Sequence, residues 1–179
     1  MATPAMDENA MASALWEAAK AGNTAEASRL LDARAPVEWK CDVNDGTTAM
    51  MMAAEGGHKD TVELMLDRGA DLEAKDESGG TALLRAAARG SKDTVELMLD
   101  RGADLEAKDE SGGTALLRAA ARGSKDTVEL MLDRGADLEA KDGDGLTALM
   151  TAAEGGHKDT VELLVSYGAD VEAECLVRP

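Results

Sequence analysis

The sequence predicts an all-α solenoid, in which pairs of short antiparallel helices stack in succession and are joined by arms that contain turns. Residues 59–91 are repeated letter for letter at 92–124, and residues 125–142 repeat the first half of this block again. Within each block, apolar residues follow a helical spacing that glycines interrupt. The chain contains no Phe, so its core must be built from Ala, Leu, Met and Val, which suit closely packed helices.

The charge and cysteine content exclude several classes of protein. The chain carries 36 acidic and 19 basic residues, a net charge of −17, which would repel nucleic acids and anionic membrane surfaces. Cys41 and Cys175 lie near opposite ends of the expected stack, too far apart for a disulfide. Two lone thiols, no basic signal segment and no apolar run of about 20 residues predict a soluble cytoplasmic protein.

The chain divides into a tail and a series of helical units. Residues 1–11 lack periodicity and are predicted to be a disordered tail, and helical spacing begins at Ala12. Gly22-Asn23 breaks this first stretch into two helices, and residues 36–44 form a connector. The following units share a Thr-Ala-apolar-apolar motif that recurs every 33 residues, at 48–51, 81–84, 114–117 and 147–150.

The elements of one unit follow from its residues. Thr81 is predicted to cap the first helix and Gly90 to end it. Asp93 or Thr94 is predicted to cap the second helix, which Gly102 terminates in the left-handed conformation. The following segment reads as an extended arm with a turn at 110–112. The positions predicted to be buried are Leu83, Leu84, Ala86 and Ala87 in the first helix, and Val95, Leu97, Met98 and Leu99 in the second.

These motifs resemble the ankyrin repeat family, either as a natural array with recently duplicated repeats or as an engineered, consensus-like scaffold. The resemblance rests on the period of 33 and on TALLRAA, GHKDTVEL and GADLEA, and it covers residues 12–176. It implies one ankyrin-repeat domain with β-turn or hairpin arms, followed by a tail at 177–179. The implied units are a capping repeat at 12–44 and full repeats at 45–77, 78–110, 111–143 and 144–176.

The sequence departs from the family pattern at several positions. The histidine of the family motif, which helps to tie neighbouring loops together, is replaced by Met51, Leu84, Leu117 or Met150, so apolar contact must substitute for it. Arg34 stands where a glycine usually ends the second helix of the first unit. Trp16 and Trp39, also in that unit, are expected to close the open end of the stack.

No residue pattern predicts catalysis. His58 and His157 lie three repeats apart, so they cannot act on one substrate atom or share a metal, and each is expected to hydrogen-bond a turn. The acidic pairs recur on every arm, whereas catalytic carboxylates need unlike, buried environments. The sequence therefore predicts neither an enzyme nor a cofactor or metal site.

The resemblance implies that a partner binds to a concave face lined by the arm tips and by the exposed sides of the first helices. The residues expected on this concave face are Met52, Glu55, Asp76, Glu77, Arg85, Arg89, Asp109, Glu110, Arg118, Arg122, Thr151 and Glu154. Its four central arginines could dock an extended acidic or mixed-charge segment through bidentate contacts. Alternatively, they could pair with the arm-tip acids and only keep the surface soluble.

The predicted function is non-catalytic protein–protein recognition, with a protein or peptide as the partner. The alternative is an engineered or structural scaffold that has no natural ligand of its own. We expect a monomer that associates weakly end to end, because no polar capping repeat follows the last unit and Leu176 and Val177 extend its apolar surface.

Overall fold

A computed structural model describes residues 7–174 of the chain, in which ten α-helices form five antiparallel pairs. A single-turn 3-10 helix spans Asp42–Asn44. The helices are α1 (Glu8–Lys20), α2 (Thr24–Asp32), α3 (Ala49–Gly56), α4 (Lys59–Asp67), α5 (Ala82–Arg89), α6 (Lys92–Asp100), α7 (Ala115–Arg122), α8 (Lys125–Asp133), α9 (Ala148–Glu154) and α10 (Lys158–Ser166).

The pairs stack so that the helices form two rows. The first helix of each pair packs against the first helix of the next, from α1 to α9, and the second helices form a parallel row from α2 to α10. One continuous apolar core runs between the rows and is made of Ala, Leu, Met and Val. This arrangement confirms the predicted all-α solenoid, while the predicted unit boundaries stay a prediction.

Threonines cap the starts of α3, α5, α7 and α9, and left-handed glycines end α3, α5 and α7. The hydroxyl of Thr81 accepts the Leu84 amide, and Gly90 ends α5 with a φ of 78°, both as predicted. The start of the second helix differs from the prediction. Helix α6 begins at Lys92, and neither Asp93 nor Thr94 is its cap, because both lie inside the first turn and Thr94 is buried.

The N-terminal prediction needs one correction. Helix α1 begins at Glu8 and is capped by the Asp7 carboxylate, so residues 8–11 are helical and the predicted tail is wrong for them. Residues 1–6, the tail at 177–179, and the expectations for Cys175, Leu176 and Val177 lie outside the described residues.

Trp16 is 3% exposed and donates to the Thr47 hydroxyl at 3.1 Å, so it joins the first helix pair to the second.

The arms between the pairs form turns that bond to one another. The Glu77 amide donates to the Asp45 carbonyl, the Glu110 amide to Ser78, and the Gly143 amide to Ser111, at 2.8 to 2.9 Å. Between residues 7 and 174 the only β pairing is an isolated bridge that joins Cys41 and Thr47. The arm tips therefore form a continuous row along one side of the stack.

Candidate functional site

Each arm tip is organised by one aspartate. The Oδ1 atom of Asp76 accepts the amides of Ser78 and Gly80 at 2.9 and 2.8 Å, and also the Ser78 hydroxyl. Asp109 and Asp142 make the corresponding backbone bonds in the next two arms. An aspartate that bonds backbone amides two and four residues ahead stabilises a turn, which explains why this residue recurs.

Two of the four predicted arginines are bound to these aspartates. Arg85 donates through Nε and Nη2 to Oδ2 of Asp76, at 3.2 and 2.6 Å, and Nη1 bonds the Glu55 carboxylate. Arg118 donates through the same two nitrogens to Oδ2 of Asp109, and its Nη2 also bonds the Ser111 hydroxyl. Arg85 and Arg118 therefore link each first helix to its own arm.

The identical blocks differ in how deeply these pairs are buried. The side chains of Arg85 and Asp76 are 23% and 1% exposed, whereas those of Arg118 and Asp109 are 41% and 9% exposed. The difference in burial follows from the preceding repeat. Glu55 of that repeat bonds Arg85, whereas the equivalent residue for Arg118 is Ala88, which cannot form an ion pair.

The electrostatics of the arm tips favour ionised aspartates. Burial alone would raise the pKa of Asp76, but hydrogen bonds from Arg85, Ser78 and Gly80 outweigh it and hold that pKa below its ordinary value. The pKa of Asp109 is lowered in the same way, by hydrogen bonds from Ser111, Arg118 and Gly113 that outweigh its burial. Both carboxylates are therefore acceptors at neutral pH and keep their arginines engaged.

The other two predicted arginines, Arg89 and Arg122, differ from Arg85 and Arg118 in their ion pairing. Six of the nine arginines between residues 7 and 174 form ion pairs within that range, and the other three are Arg34, which follows α2, and the exposed Arg89 and Arg122. Arg89 and Arg122 occupy equivalent positions at the ends of α5 and α7. Both line an open cleft of about 380 Å³, together with Glu55, Arg85 and Ala88.

The remaining predicted residues are not among those that line this cleft. Met52 is half-buried, and the Thr151 hydroxyl bonds back to its own helix at Thr147. Glu77, Glu110 and Glu154 are exposed. The structure therefore brings Glu55, Arg85, Arg89 and Arg122 together, and places Thr151 and Glu154 on the last helix pair.

The histidines bond across the repeat boundary. Nε2 of His58 donates to the Lys20 carbonyl at 3.2 Å, and Nε2 of His157 donates to the Ala121 carbonyl at 2.9 Å. Each histidine thus ties the start of a second helix to the end of the first helix in the preceding pair. The prediction of a structural hydrogen bond is confirmed, although the acceptor lies in the neighbouring pair.

Sequence reasoning missed two sets of contacts that tie neighbouring repeats together. On the arms, Glu73, Glu106 and Glu139 each accept the amide of an aspartate 31 residues ahead. Beside the second helices, Arg101 bonds Glu63 and Asp67, and the Tyr167 hydroxyl bonds Asp133. The sequence carries a signal for the glutamates and for Arg101, because they recur with the period of the repeat, but none for Tyr167, which is the single tyrosine of the chain.

Neither a metal site nor a membrane-spanning helix is found in the described part of the chain. Between residues 7 and 174, no group of His, Cys, Asp or Glu side chains is arranged to hold a metal ion. None of the described helices is both long and apolar enough to cross a membrane.

The stacked pairs, with their ladders of arm contacts, define the class as an α-helical repeat protein. A family model for ankyrin repeats in three copies matches residues 15–109 and 83–175. These matches cover most of the chain, which therefore belongs to the ankyrin repeat family. Ankyrin repeats are generally protein–protein interaction modules and typically non-catalytic. The comparison with curated proteins produced no match.

Proposed function

We propose that this chain is a non-catalytic interaction module that binds a protein or peptide partner through its concave face. The observation that supports this proposal is the pair of exposed, unpaired guanidinium groups on Arg89 and Arg122. The chain has almost twice as many acidic as basic residues, and most of its described arginines are paired. Two exposed arginines that form no ion pair within residues 7–174 are suited to bind the carboxylates of a partner.

The partner that fits this face is an acidic or mixed-charge segment. Arg89 and Arg122 would bind its acids, while exposed Glu154 at one end of the face would favour a basic residue. Arg85 and Arg118 would act indirectly by holding the arm tips in place. The net charge of −17 disfavours nucleic acids and anionic membranes as partners. We propose in addition that the protein is cytoplasmic.

The proposal is tested by affinity capture from a cell extract, followed by mass spectrometry. The bait proteins are the wild type, an Arg89→Gln/Arg122→Gln variant, and a control variant, Arg101→Gln/Arg134→Gln, whose arginines lie beside the second helices. We expect the wild type and the control to capture the same protein and the first variant to lose it. Capture that is unchanged in the first variant would rule out this face as the site. Capture of nothing specific by any bait would favour the scaffold alternative.

We also propose that the chain is a monomer with weak end-to-end association through its last helix pair. Leu149 and Met150 are only half-buried, whereas Leu83 and Leu116, which correspond to Leu149, are 1% and 2% exposed beneath a following repeat. Charge repulsion between copies opposes this contact, so added salt should strengthen it. Analytical ultracentrifugation tests this, with Leu149→Glu expected to abolish any dimer. A sample that is monomeric at every salt concentration would refute it.

A further inference from the structure

The positions of Arg89 and Arg122 are fixed more firmly than their exposure suggests. The Cγ atom of Arg122 lies 3.5 Å from the position that a Cβ atom would take on Gly90, so its aliphatic stem packs on the turn of the preceding repeat. The stem of Arg89 lies in the same relation to Gly57, at 3.9 Å. The aliphatic parts of both arginines therefore pack in the same way on a glycine turn, and both guanidinium groups extend from equivalent positions.

The spacing of the two groups follows from the stack. Helices α5 and α7 are neighbours in the first row, and packed helices lie about 8 to 10 Å apart. Because the two arginines occupy equivalent positions, their charged groups repeat at about this spacing. The groups of one ligand that bind both arginines must have a similar separation and must point in one direction.

Few peptide conformations meet both conditions. In a β-strand, side chains on one face are about 7 or about 13 Å apart, at two or four residues. In a polyproline II helix, every third side chain points the same way, and three residues span about 9 Å. In an α-helix, side chains seven residues apart are about 10 Å apart on one face, but the helix is about 10 Å wide.

The two remaining conformations differ in the number of residues that binding must order. Three residues of a polyproline II helix span the distance between the arginines, whereas an α-helix needs seven. A polyproline II segment, which is largely preformed in proline-rich peptides, can therefore place two side chains over the open cleft at the smaller cost in conformational entropy. Resting on the proposed function, we propose that the ligand is a polyproline II segment with acidic side chains three residues apart, each bound by one of the two arginines.

Two synthetic peptides of the same composition test this spacing. In Pro-Pro-Glu-Pro-Pro-Glu-Pro-Pro, the two glutamates lie on one face, whereas in Pro-Pro-Glu-Glu-Pro-Pro-Pro-Pro they are adjacent and diverge. An alanine-rich helical peptide with glutamates seven residues apart is the third probe. Affinities are measured by isothermal titration calorimetry in about 0.15 M salt, where contacts persist but the field of distant charges is screened.

We expect the first peptide to bind wild-type protein about tenfold more tightly than the second, because only the first engages both arginines at once. Arg89→Gln or Arg122→Gln should abolish this difference, and the control Arg101→Gln should keep it. The proposal is overturned by equal binding of the two proline peptides, by no binding of either, by a difference that survives both substitutions, or by tighter binding of the helical peptide. In each case the capture experiment still decides separately whether the concave face binds a partner.

Discussion

At the scale of single residues, the four arginines of two identical blocks fall into two functional groups. Arg85 and Arg118 hold the arms through buried or half-buried aspartates, whereas Arg89 and Arg122, one helical turn further on, remain exposed. The same residue type therefore has two roles within one repeat. Arg85 and Arg118 lie on the side of the first helix that faces the arm tip preceding it, and Arg89 and Arg122 do not contact that arm tip.

Stability measurements should separate the two groups. Replacing Arg85 with Gln removes the charged partner of a carboxylate that is 1% exposed, so we expect a loss of about 1–2 kcal/mol in the free energy of unfolding. Arg118→Gln should cost less, because its ion pair is more exposed. Arg89→Gln should change stability by less than about 0.5 kcal/mol. Urea denaturation measures all three, and an equal loss in every variant would contradict this division.

The arm-tip aspartates should also make stability depend on pH. Folding lowers the pKa of Asp76, so its contribution is fully present above the unfolded pKa of about 3.9 and is lost as the pH falls through the folded value. The difference in unfolding free energy between the wild type and Asp76→Asn should therefore be constant near neutral pH and should shrink below about pH 4. Asp142→Asn is the matched control, because that turn has Thr151 in place of an arginine. A difference that grows in acid would refute this assignment.

At the scale of the helices and turns, the glycines that follow the first helices and those that follow the second helices have different roles. Gly90 ends the first helix with a φ of 78°, and a Cβ atom there would clash with the Ser124 side chain in the next repeat. Gly102 follows the second helix with a φ of 91° and has no atom within 4 Å of the same position. The first glycine therefore allows both a turn and a close approach between repeats, whereas the second allows a turn alone.

Alanine substitutions should distinguish these two roles. Gly102→Ala should cost about 1–2 kcal/mol, the strain of a left-handed alanine. Gly90→Ala should cost about 2–4 kcal/mol, because the clash with Ser124 adds to that strain. The double variant Gly90→Ala/Ser124→Ala should regain part of this loss in thermal and urea unfolding. If removing the Ser124 hydroxyl has no effect in the Gly90→Ala background, the close contact between repeats does not limit stability.

The local elements were largely predictable from the sequence, and the contacts across the arms were not. Thr81 and Gly90 act at short range, so their roles follow from residue type and position. The predicted start of α6 was wrong because the Thr94 side chain lies in the core and cannot cap the helix from outside. The pairing of Arg85 with Asp76 is only one of the two alternatives that the sequence allows, since residues nine positions apart meet only after the arm folds back.

At the scale of the whole molecule, the stack is a linear array in which each helix pair contacts its neighbours. In such arrays, stability is roughly the sum of the stabilities of the repeats and of the interfaces between them. The duplicated block provides an unusually clean test, because removing 92–124 leaves a junction with an unchanged local sequence.

Deleting residues 92–124 should yield a shorter protein that still folds. We expect the denaturant m-value to fall by about a fifth, in line with the 33 of 179 residues that are removed, and stability to fall with it. The deletion also leaves one arginine of the Arg89 type, so the spaced peptide should lose its advantage over the adjacent one. Far-UV circular dichroism and urea titration check the first expectation. An unfolded product would show that the array behaves as a single indivisible unit.

The duplicated block also affects how the chain finds its correct register during folding. Each copy presents the same packing surface to the next, so a block from a second chain can occupy the place of the native neighbour and produce an exchanged dimer. The bonds at the two ends do not resist this exchange, because Trp16 and Thr47 both precede the duplicated block and Tyr167 and Asp133 both follow it, so these bonds form equally in the exchanged dimer. Chain connectivity favours the monomer, because it keeps the native neighbour at a high effective concentration. The exchanged dimer should therefore form mainly when the protein is refolded at high concentration.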